Sequence, residues 1–348
     1  MSGPGLEVGI ALWTMQSTAS APASHAALYR DLRDDARRVE ELGFTSLWLA
    51  EHRFWYDGWC PAPFVAAASA AAATERLRFG TAMLLLPQHD PLRLARTVAT
   101  LDSLSGGRID FGVGLGHRDA EFDGLGLRRP ARGSRMDEAL EVLTLAWSGR
   151  PFDFHGVHFN YSGAECLPSP AQHPYPPIWI GGMADEAMRR GARHGCSFLL
   201  PQTLYPGEVR ELVERIGAEA AAAGQPRGRI GMLKDAWVGS PDDPGGDEFL
   251  VRLARHYREE AGSWWVLRNH FPGFAEPELL DRQLKRITET ALVGPAGDLV
   301  RSIRTYADAG IDLLAVRLHF DITRGASERD ATQRFARDVL PEVAGVPA

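Results

Sequence analysis

The sequence has few cysteines, no basic cluster and no long apolar segment, and each shortage excludes a class of protein. The three cysteines, Cys60, Cys166 and Cys196, are an odd number without paired spacing. They predict neither a disulfide framework nor a zinc knuckle, and we expect no metal site. A chain of this kind fits the reducing cytoplasm, where we expect the protein to be.

Charge and hydropathy exclude two further classes. The net charge is -7 and the basic residues are scattered, which gives no support for a surface that binds nucleic acid or an anionic membrane. The longest stretch of small apolar residues, 64–73, is too short to span a bilayer, and no basic segment followed by an apolar one marks an export signal. A small molecule is therefore the expected partner.

Apolar runs of strand length alternate with longer segments of helical period, as parallel sheets with crossover helices require. The runs predict eight strands, at residues 8–13, 46–50, 77–85, 108–113, 178–181, 197–200, 231–238 and 313–317. The longer segments predict helices at residues 26–42, 63–74, 91–104, 135–147, 184–194, 207–223, 298–309 and 328–343. Glycine marks four of the helix-to-strand turns. The economical interpretation is one α/β domain over residues 1–348, a (β/α)8 TIM barrel.

Two segments interrupt this alternation. Residues 150–177 contain a predicted hairpin and a proline-rich connector, and residues 242–286 contain a polar start, a helical stretch near 249–260 and the aromatic pairs Trp264-Trp265 and His270-Phe271. On barrels, such insertions are commonly lids or oligomer contacts. His155 and His158 alternate in the hairpin, but without a third ligand they are interpreted as surface residues.

A titratable pair, Glu51-His52, follows directly after the second predicted strand. In alternating barrels the carboxyl ends of the strands carry the chemistry, because the loops that leave them converge on one face. An imidazole titrates near neutral pH and is suited to carry a proton. The alternative is a structural histidine that is hydrogen-bonded to a neighbouring carboxylate.

Glycines follow two other predicted strands. The spacing of Gly112, Gly114 and Gly116 does not fit a dinucleotide fingerprint, because residues 117–126 after it are polar and glycine-rich rather than helical. Gly181-Gly182 opens a predicted helix, whose first amides could bind phosphate. The alternative is that glycine only relieves crowding there.

Four aromatic residues are predicted near the ends of the first two strands: Trp13, Trp55, Tyr56 and Trp59. A single aromatic residue is usually part of the core. Four at one mouth favour a pocket for a flat or apolar substrate.

Five segments occur in the order typical of one family: GFTSLWLAEH at 43–52, RFGTAM at 78–83, TLDSLSGGRIDFGVGLG at 100–116, PPIWIGG at 176–182 and VGPAGD at 293–298. Over nearly its whole length the chain resembles the bacterial luciferase-like, flavin-dependent monooxygenases. The resemblance implies a TIM-type barrel that binds FMN at the carboxyl ends of its strands. It also implies that a flavin reductase supplies FMNH2, that O2 converts it to a flavin hydroperoxide which oxygenates a small organic substrate, and that the protein is a homodimer.

The resemblance also assigns roles to individual residues. His52 falls on the family's histidine near the reactive face of the flavin, with Glu51 as its orienting partner or as part of an ion pair on the barrel floor. Arg53 stands where many relatives have a second histidine, so the resemblance leaves open whether the substrate and the proton pathway are those of the aldehyde-oxidising members. Ala82-Met83 falls where the family often has a cis peptide beneath the flavin ring; the alternative is an ordinary buried strand.

Further residues are expected to hold the cofactor and the substrate. Gly114, Leu115, Gly116 and His117 would line the flavin ring or its ribityl chain. Arg135 and the segment Gly181, Gly182, Met183 and Ala184 would contact the phosphate, although Ala184 replaces a serine that relatives often have. Trp13, Trp55, Tyr56 and Tyr257 would contact the substrate.

Two other functions stay open at this point. One is a deazaflavin-dependent oxidoreductase that transfers hydride, although those proteins more often have Asp-His in place of Glu51-His52. The other is a non-catalytic flavin-binding protein. Among oxygenase substrates, the aromatic mouth favours an aromatic or polyketide-like natural product, and the sequence shows no arginine cluster that would suit an alkanesulfonate.

Overall fold

The computed structural model describes residues 5–17, 22–55, 57–239, 244–258, 277–318 and 326–345. Its strands are β1 (Glu7–Trp13), β2 (Ser46–Leu49), β3 (Arg78–Thr81), β4 (Leu84–Leu85), β5 (Ile109–Gly114), β6 (Phe152–His155), β7 (Asn160–Ala164), β8 (Ile178–Gly181), β9 (Ser197–Leu200), β10 (Ile230–Val238), β11 (Leu292–Gly294) and β12 (Leu313–Arg317). Its helices are α1 (His25–Glu41), α2 (Pro63–Ala71), α3 (Pro91–Ser105), α4 (Asp119–Asp123), α5 (Arg132–Ala146), α6 (Asp185–Arg193), α7 (Pro206–Ala222), α8 (Pro244–Arg255), α9 (Pro277–Thr290), α10 (Ala296–Asp308), α11 (Ala326–Asp338) and α12 (Leu340–Val343).

Eight parallel strands close into a barrel. Around the ring they pair in the order β1, β2, β3, β5, β8, β9, β10 and β12, and β12 returns to pair with β1. These are the eight strands predicted from the sequence, so the predicted barrel is confirmed. The short strand β11 was not predicted, and it extends the sheet beside the end of β10.

Helix α3 illustrates how the local sequence sets the boundaries of an element. The side chain of Asp90 caps its first turn by accepting a hydrogen bond from the Arg93 amide at 2.8 Å, and Pro91 occupies the first helical position. Gly106 ends the helix with a φ of 69°, a conformation that glycine adopts without a steric cost. The buried face of the helix, which includes Leu94 and Val98, packs on the barrel.

The interior of the barrel is filled by side chains. Trp48 and Trp179 meet edge to face with their ring centroids 5.4 Å apart, and neither is more than 1% exposed. Gly80 is required here, because a Cβ at that position would lie 2.2 Å from the Trp48 ring. Since this layer leaves no channel along the axis, space for a ligand lies at the carboxyl ends of the strands.

The two predicted insertions have different structures. The first contains the antiparallel hairpin of β6 and β7, as predicted. In the second, α8 begins at Pro244, earlier than the predicted helical stretch, and α9 was not predicted. The two helices meet in a small apolar cluster that includes Phe249, Leu253 and Ile287. Residues 259–276, with Trp264, Trp265, His270 and Phe271, lie outside the described residues.

Within the described ranges, no helix combines the length and the apolar character needed to cross a membrane.

Candidate active site

A cavity of about 530 Å³ opens at the carboxyl ends of the barrel strands. This volume lies within the roughly 300–1,000 Å³ typical of small-molecule sites. The predicted site residues that line it are Glu51, His52, Trp55, Ala82, Met83, Gly114, Leu115, Gly116, His117, Gly181 and Tyr257. Trp59 also lines it, whereas Tyr56 and the side chain of Trp13 are outside the described part of the chain.

His52 is held by a carboxylate that the sequence did not reveal. Its Nδ1 donates to Glu121 Oε1 at 2.9 Å, and the same oxygen accepts the Arg53 amide at 2.9 Å. Glu121 lies on α4, in a segment for which the sequence predicted no helix, and it is fully buried. With Nδ1 engaged in this bond, a proton exchanged with a ligand would pass through Nε2.

Glu121 is stabilised in its charged form. Burial alone would raise the pKa of this carboxyl group, but the hydrogen bond and charge of His52, the Arg53 amide and the Arg118 guanidinium together lower it. The Arg118 side chain is itself buried, and its guanidinium lies 4.1 Å from the centre of the Trp55 ring. The histidine therefore faces a fixed negative charge on its Nδ1 side.

Glu51 has different partners from those expected. It accepts hydrogen bonds from Arg53 Nη2 at 2.6 Å, from His89 Nε2 at 3.1 Å and from the Leu85 amide at 2.8 Å. Burial raises the pKa of its carboxyl group, yet His89 and Arg53 bring it below the ordinary value. Of the two roles that the sequence left open, the structure gives Glu51 the ion pair, at the carboxyl end of β2 rather than on the barrel floor. The partner of His52 is Glu121.

Aromatic rings surround His52. The centroids of Trp55 and Trp59 lie 4.7 and 4.6 Å from the centroid of the imidazole, and only 15% of the His52 side chain is exposed. This arrangement limits the access of water to the imidazole. Trp55 and Trp59 are the two members of the predicted aromatic mouth whose side chains the structure describes.

His117 lies on the same side of the cavity, with its ring centroid 5.9 Å from that of His52. Burial and the nearby His52 lower the pKa of His117 to about 4, with a further contribution from Arg118. At neutral pH, His117 is therefore an uncharged imidazole, able to hydrogen-bond but not to carry a positive charge.

The peptide bond between Ala82 and Met83 is cis, the isomer that the resemblance implied for this position. It interrupts the predicted strand 77–85, which the structure divides into β3 and β4. The Met83 side chain occupies the space left by two glycines. A Cβ on Gly181 would lie 2.7 Å from Met83 Cγ, and one on Gly114 would lie 3.2 Å from Met83 Cβ. Both glycines therefore make room for Met83, and they line the cavity beside it.

Four residues predicted to contact phosphate are not part of the cavity wall: Arg135, Gly182, Met183 and Ala184. Arg135 donates through Nε to the Pro87 carbonyl at 2.9 Å, and its guanidinium lies 4.7 Å from the centre of the Phe159 ring. Helix α6 does begin after β8, without a side-chain cap, but its first turn carries Asp185 and Glu186. The role of these residues in binding a phosphate stays a prediction.

The far side of the cavity is polar, and most of it was not predicted. Asp235 on β10 lies in register with Arg317 on β12, and Arg317 Nε donates to Asp235 Oδ1 at 2.6 Å. Arg317 Nη2 also donates to the Tyr257 hydroxyl at 2.7 Å, and the Gln202 amide nitrogen donates to the same oxygen. Although burial lowers the pKa of Arg317, Asp235 and Tyr257 raise it above the ordinary value. Tyr257 was predicted from the resemblance, and the only signal for Arg317 was that it ends a predicted strand.

In the described ranges, no group of three histidine, cysteine, aspartate or glutamate side chains is placed to hold a metal ion.

The closed parallel barrel and the polar and aromatic cavity at its carboxyl rim define an α/β-barrel protein with a small-molecule site. The model of the luciferase-like monooxygenase family matches residues 7–313. The chain belongs to this family.

Two curated relatives match a part of the chain. The uncharacterised proteins y4wF and y4vJ of Sinorhizobium fredii (strain NBRC 101917 / NGR234) are 35% and 31% identical to it over 172 residues, or 49% of this chain. The chain spans about half the length of these two relatives, 50% and 49% respectively. The oxygenase component of the flavin-dependent trigonelline monooxygenase of Acinetobacter baylyi (strain ATCC 33305 / BD413 / ADP1) is 21% identical over 329 residues, which cover 90% of this chain and 89% of that protein.

Solved structures share the fold. The oxygenating constituent of 3,6-diketocamphane monooxygenase from Pseudomonas putida, in complex with FMN, has a TM-score of 0.81 and 18% identity, and the match covers 97% of this chain and 99% of that one. An F420-dependent secondary alcohol dehydrogenase has a TM-score of 0.76 and 19% identity, again over 97% and 99% of the two chains. At these identities the likeness concerns the architecture.

Proposed function

We propose that this protein is the oxygenase component of an FMNH2-dependent monooxygenase. In this reaction a separate flavin reductase supplies the FMNH2, one atom of O2 enters a small organic substrate and the other leaves as water. The observation that carries the proposal is His52, fixed by the buried Glu121 in the wall of a largely apolar cavity at the barrel rim. The relative described as a flavin-dependent oxygenase component and the structural neighbour that holds FMN support it.

The residues present fit a flavin. Ala82, Met83 and Leu115 offer an apolar surface to a flat ring system, and the cavity is large enough for a ligand of this class. At the other end of the cofactor, we assign the phosphate to Arg135 and the start of α6. Reduced FMN, when bound, would supply the two electrons that the reaction with O2 consumes.

The protein's own part is to move a proton and to exclude water. Glu121 holds Nδ1 of His52 and would stabilise the imidazolium form, so that Nε2 can deliver and recover a proton at the reacting atoms. Trp55 and Trp59 pack around the imidazole and limit the entry of water. Glu51 binds the Arg53 side chain and the Leu85 amide, which ties the segment that carries the histidine to the end of β4.

A second candidate is hydride transfer with a deazaflavin coenzyme. It is favoured by the fold of the F420-dependent dehydrogenase. The two reactions differ in whether O2 is consumed, so a direct measurement separates them.

The test compares the two reduced coenzymes. Purified protein is titrated anaerobically with FMNH2 and with reduced deazaflavin, and each complex is then mixed with O2 in a stopped-flow instrument. We expect the protein to bind FMNH2 more tightly and to change the time course of its oxidation relative to free FMNH2. Tighter binding of reduced deazaflavin with no effect on oxygen uptake would replace the proposal with the hydride-transfer reaction, and binding of FMN without turnover would leave a flavin-binding protein.

We also propose a homodimer, on the resemblance alone, and a place in the cytoplasm, because the three cysteines without paired spacing suit a reducing compartment. Light scattering after size-exclusion chromatography gives the mass in solution, and a mass near 38.1 kDa, that of one chain, would contradict the dimer.

A further inference from the structure

A glutamine behind the cavity wall has hydrogen-bonding groups that the protein itself leaves unused. Gln88 is 7% exposed, and both its Oε1 and its Nε2 are buried without a hydrogen-bond partner among the described residues. A buried carboxamide costs stability when neither its donors nor its acceptor is engaged. Such a group calls for a partner from outside the chain, which is a ligand or a buried water molecule.

The backbone on either side of Gln88 is held in place. The residue ends a short 3-10 helix that follows β4. The carbonyl oxygen of Pro87 accepts a hydrogen bond from Arg135 Nε at 2.9 Å, and the His89 side chain binds the buried Glu51 carboxylate at 3.1 Å. The backbone that carries the amide is therefore fixed before any ligand arrives, which lowers the entropy that binding would cost.

Gly116 lies between the amide and the cavity. It lines the cavity, whereas Gln88 is not part of the cavity wall, and a Cβ on Gly116 would lie 3.2 Å from Gln88 Nε2. Because this glycine has no side chain, the space beside the amide is left free at the wall. The Gln88 side chain has three torsion angles, so its amide can turn towards a ligand that passes Gly116.

Hydrogen-bonding capacity decides which chemical group fits the amide. A carboxamide both donates and accepts, and so does a hydroxyl group, so neighbouring hydroxyl groups can engage Nε2 and Oε1 together. A phosphate would accept from Nε2 but would leave Oε1 facing a negative charge. A flat apolar ring would leave both atoms without a partner. The amide therefore suits a chain that carries several hydroxyl groups.

We propose that Gln88 binds the hydroxyl groups of the flavin's ribityl chain where that chain passes Gly116. This inference rests on the proposed function, which places the flavin ring beside Leu115 and the phosphate at Arg135. Arg135 binds the carbonyl of the residue before Gln88, so the amide lies on the route from the ring to the phosphate. Gln88 is then a cofactor-binding residue that distinguishes flavins with a ribityl chain from those without one.

Three reduced flavins that differ only in the side chain on N10 test this assignment: FMNH2, reduced riboflavin, which lacks the phosphate, and reduced lumiflavin, which also lacks the ribityl chain. Their dissociation constants are measured anaerobically from the quenching of tryptophan fluorescence, since Trp55 and Trp59 line the cavity. In Gln88→Leu we expect FMNH2 and reduced riboflavin to bind about fivefold more weakly, the range that one hydrogen bond supplies. Reduced lumiflavin should bind as it does to the wild type.

The thermal stability of the flavin-free protein is a second readout. Gln88→Leu removes two unpaired polar atoms from a buried position, so its Tm should equal or exceed that of the wild type. The matched control is Gln225→Leu, at an exposed position after α7 that is not part of the cavity wall, and it should bind all three flavins normally. If Gln88→Leu does not fold, Gln88→Met keeps nearly the same length and also removes both polar atoms.

An equal loss of affinity for the three flavins, or no loss for any of them, would overturn the inference. A loss confined to FMNH2 would also overturn it, because the contact would then be to the phosphate. A lower Tm of flavin-free Gln88→Leu with unchanged affinities would identify a buried water molecule as the partner of the amide. If the wild type bound none of the flavins, the proposed function itself would fail, whereas normal binding by both the wild type and Gln88→Leu would count against the inference alone.

Discussion

At the scale of single residues, the site depends on pairs that are distant in sequence. His52 was predicted because it ends a strand and matches a family position, but its partner Glu121 lies 69 residues away on a five-residue helix. No periodic pattern reveals such a pair, since the contact exists only after α4 folds over β2. Arg317 and Asp235, which are 82 residues apart, were missed for the same reason.

His52→Ala tests the proton carrier. We expect the oxygenation rate to fall at least tenfold, because a positioned acid or base typically contributes a factor of roughly 100 to 10,000. Single-turnover kinetics with preformed reduced flavin gives the rate, and circular dichroism confirms that the variant is folded. Unchanged kinetics would exclude His52 from the mechanism.

Glu121→Gln tests the positioning of His52. The substitution keeps the shape of the side chain but removes the charge that faces Nδ1, so we expect a loss of about tenfold in the same rate. If Glu121 acts through His52, this substitution should have little further effect in a His52→Ala background. Asp123→Asn on the exposed side of α4 is the matched control and should retain the wild-type rate.

His117 should make stability depend on pH. Its pKa is about 4 in the folded protein and 6.5 when exposed, so the unfolded chain binds more protons between these values. Stability should therefore fall as the pH drops from 6.5 towards 4, by about 3 kcal/mol for this group. Urea unfolding of the wild type and of His117→Gln at pH 7 and pH 4 isolates the effect, with His158→Gln on the hairpin as control. A constant difference between wild type and His117→Gln at the two pH values would contradict the expectation.

At the scale of elements, the sequence predicted most of the fold. Each barrel strand is a short apolar run between polar or glycine-containing turns, and this local signal is enough to locate all eight. The elements that were missed have weaker signals. Helix α4 has only five residues and lies in a glycine-rich segment. Helix α9 lies in an insertion that was interpreted from its position in the chain as a lid or an oligomer contact, and no periodic pattern was used to find a helix there.

The ends of β5 and β8 depend on the absence of two side chains. In Gly181→Ala the new methyl group would lie 2.7 Å from Met83 Cγ, so either Met83 or the strand must move. We expect a loss of about 1–3 kcal/mol, as for other overpacked sites, together with weaker flavin binding. Gly207→Ala, on α7 with open space around its Cβ position, is the control and should not destabilise the protein. Full stability and FMN affinity in Gly181→Ala would show that Met83 adapts freely.

At the scale of the whole molecule, ring closure makes each strand depend on its two neighbours. Trp48 and Trp179 fill the interior, so the barrel loses packing on several strands when one of them is truncated. We expect Trp48→Ala to cost about 3–5 kcal/mol of unfolding free energy. Urea unfolding followed by circular dichroism and by fluorescence should give coincident transitions for the wild type. A cost below about 1 kcal/mol would mean that the interior repacks around the cavity.

The indole rings of Trp48 and Trp179 also restrict how a ligand can reach the cavity, because they block the axis of the barrel. A ligand of the cavity that His52 lines must therefore enter and leave at the carboxyl rim of the barrel. In the proposed reaction, the reduced flavin and the substrate would therefore reach the cavity by one shared entrance. If the flavin lies deeper than the substrate, steady-state inhibition patterns should show ordered binding with the flavin first, and random-order patterns would contradict that arrangement.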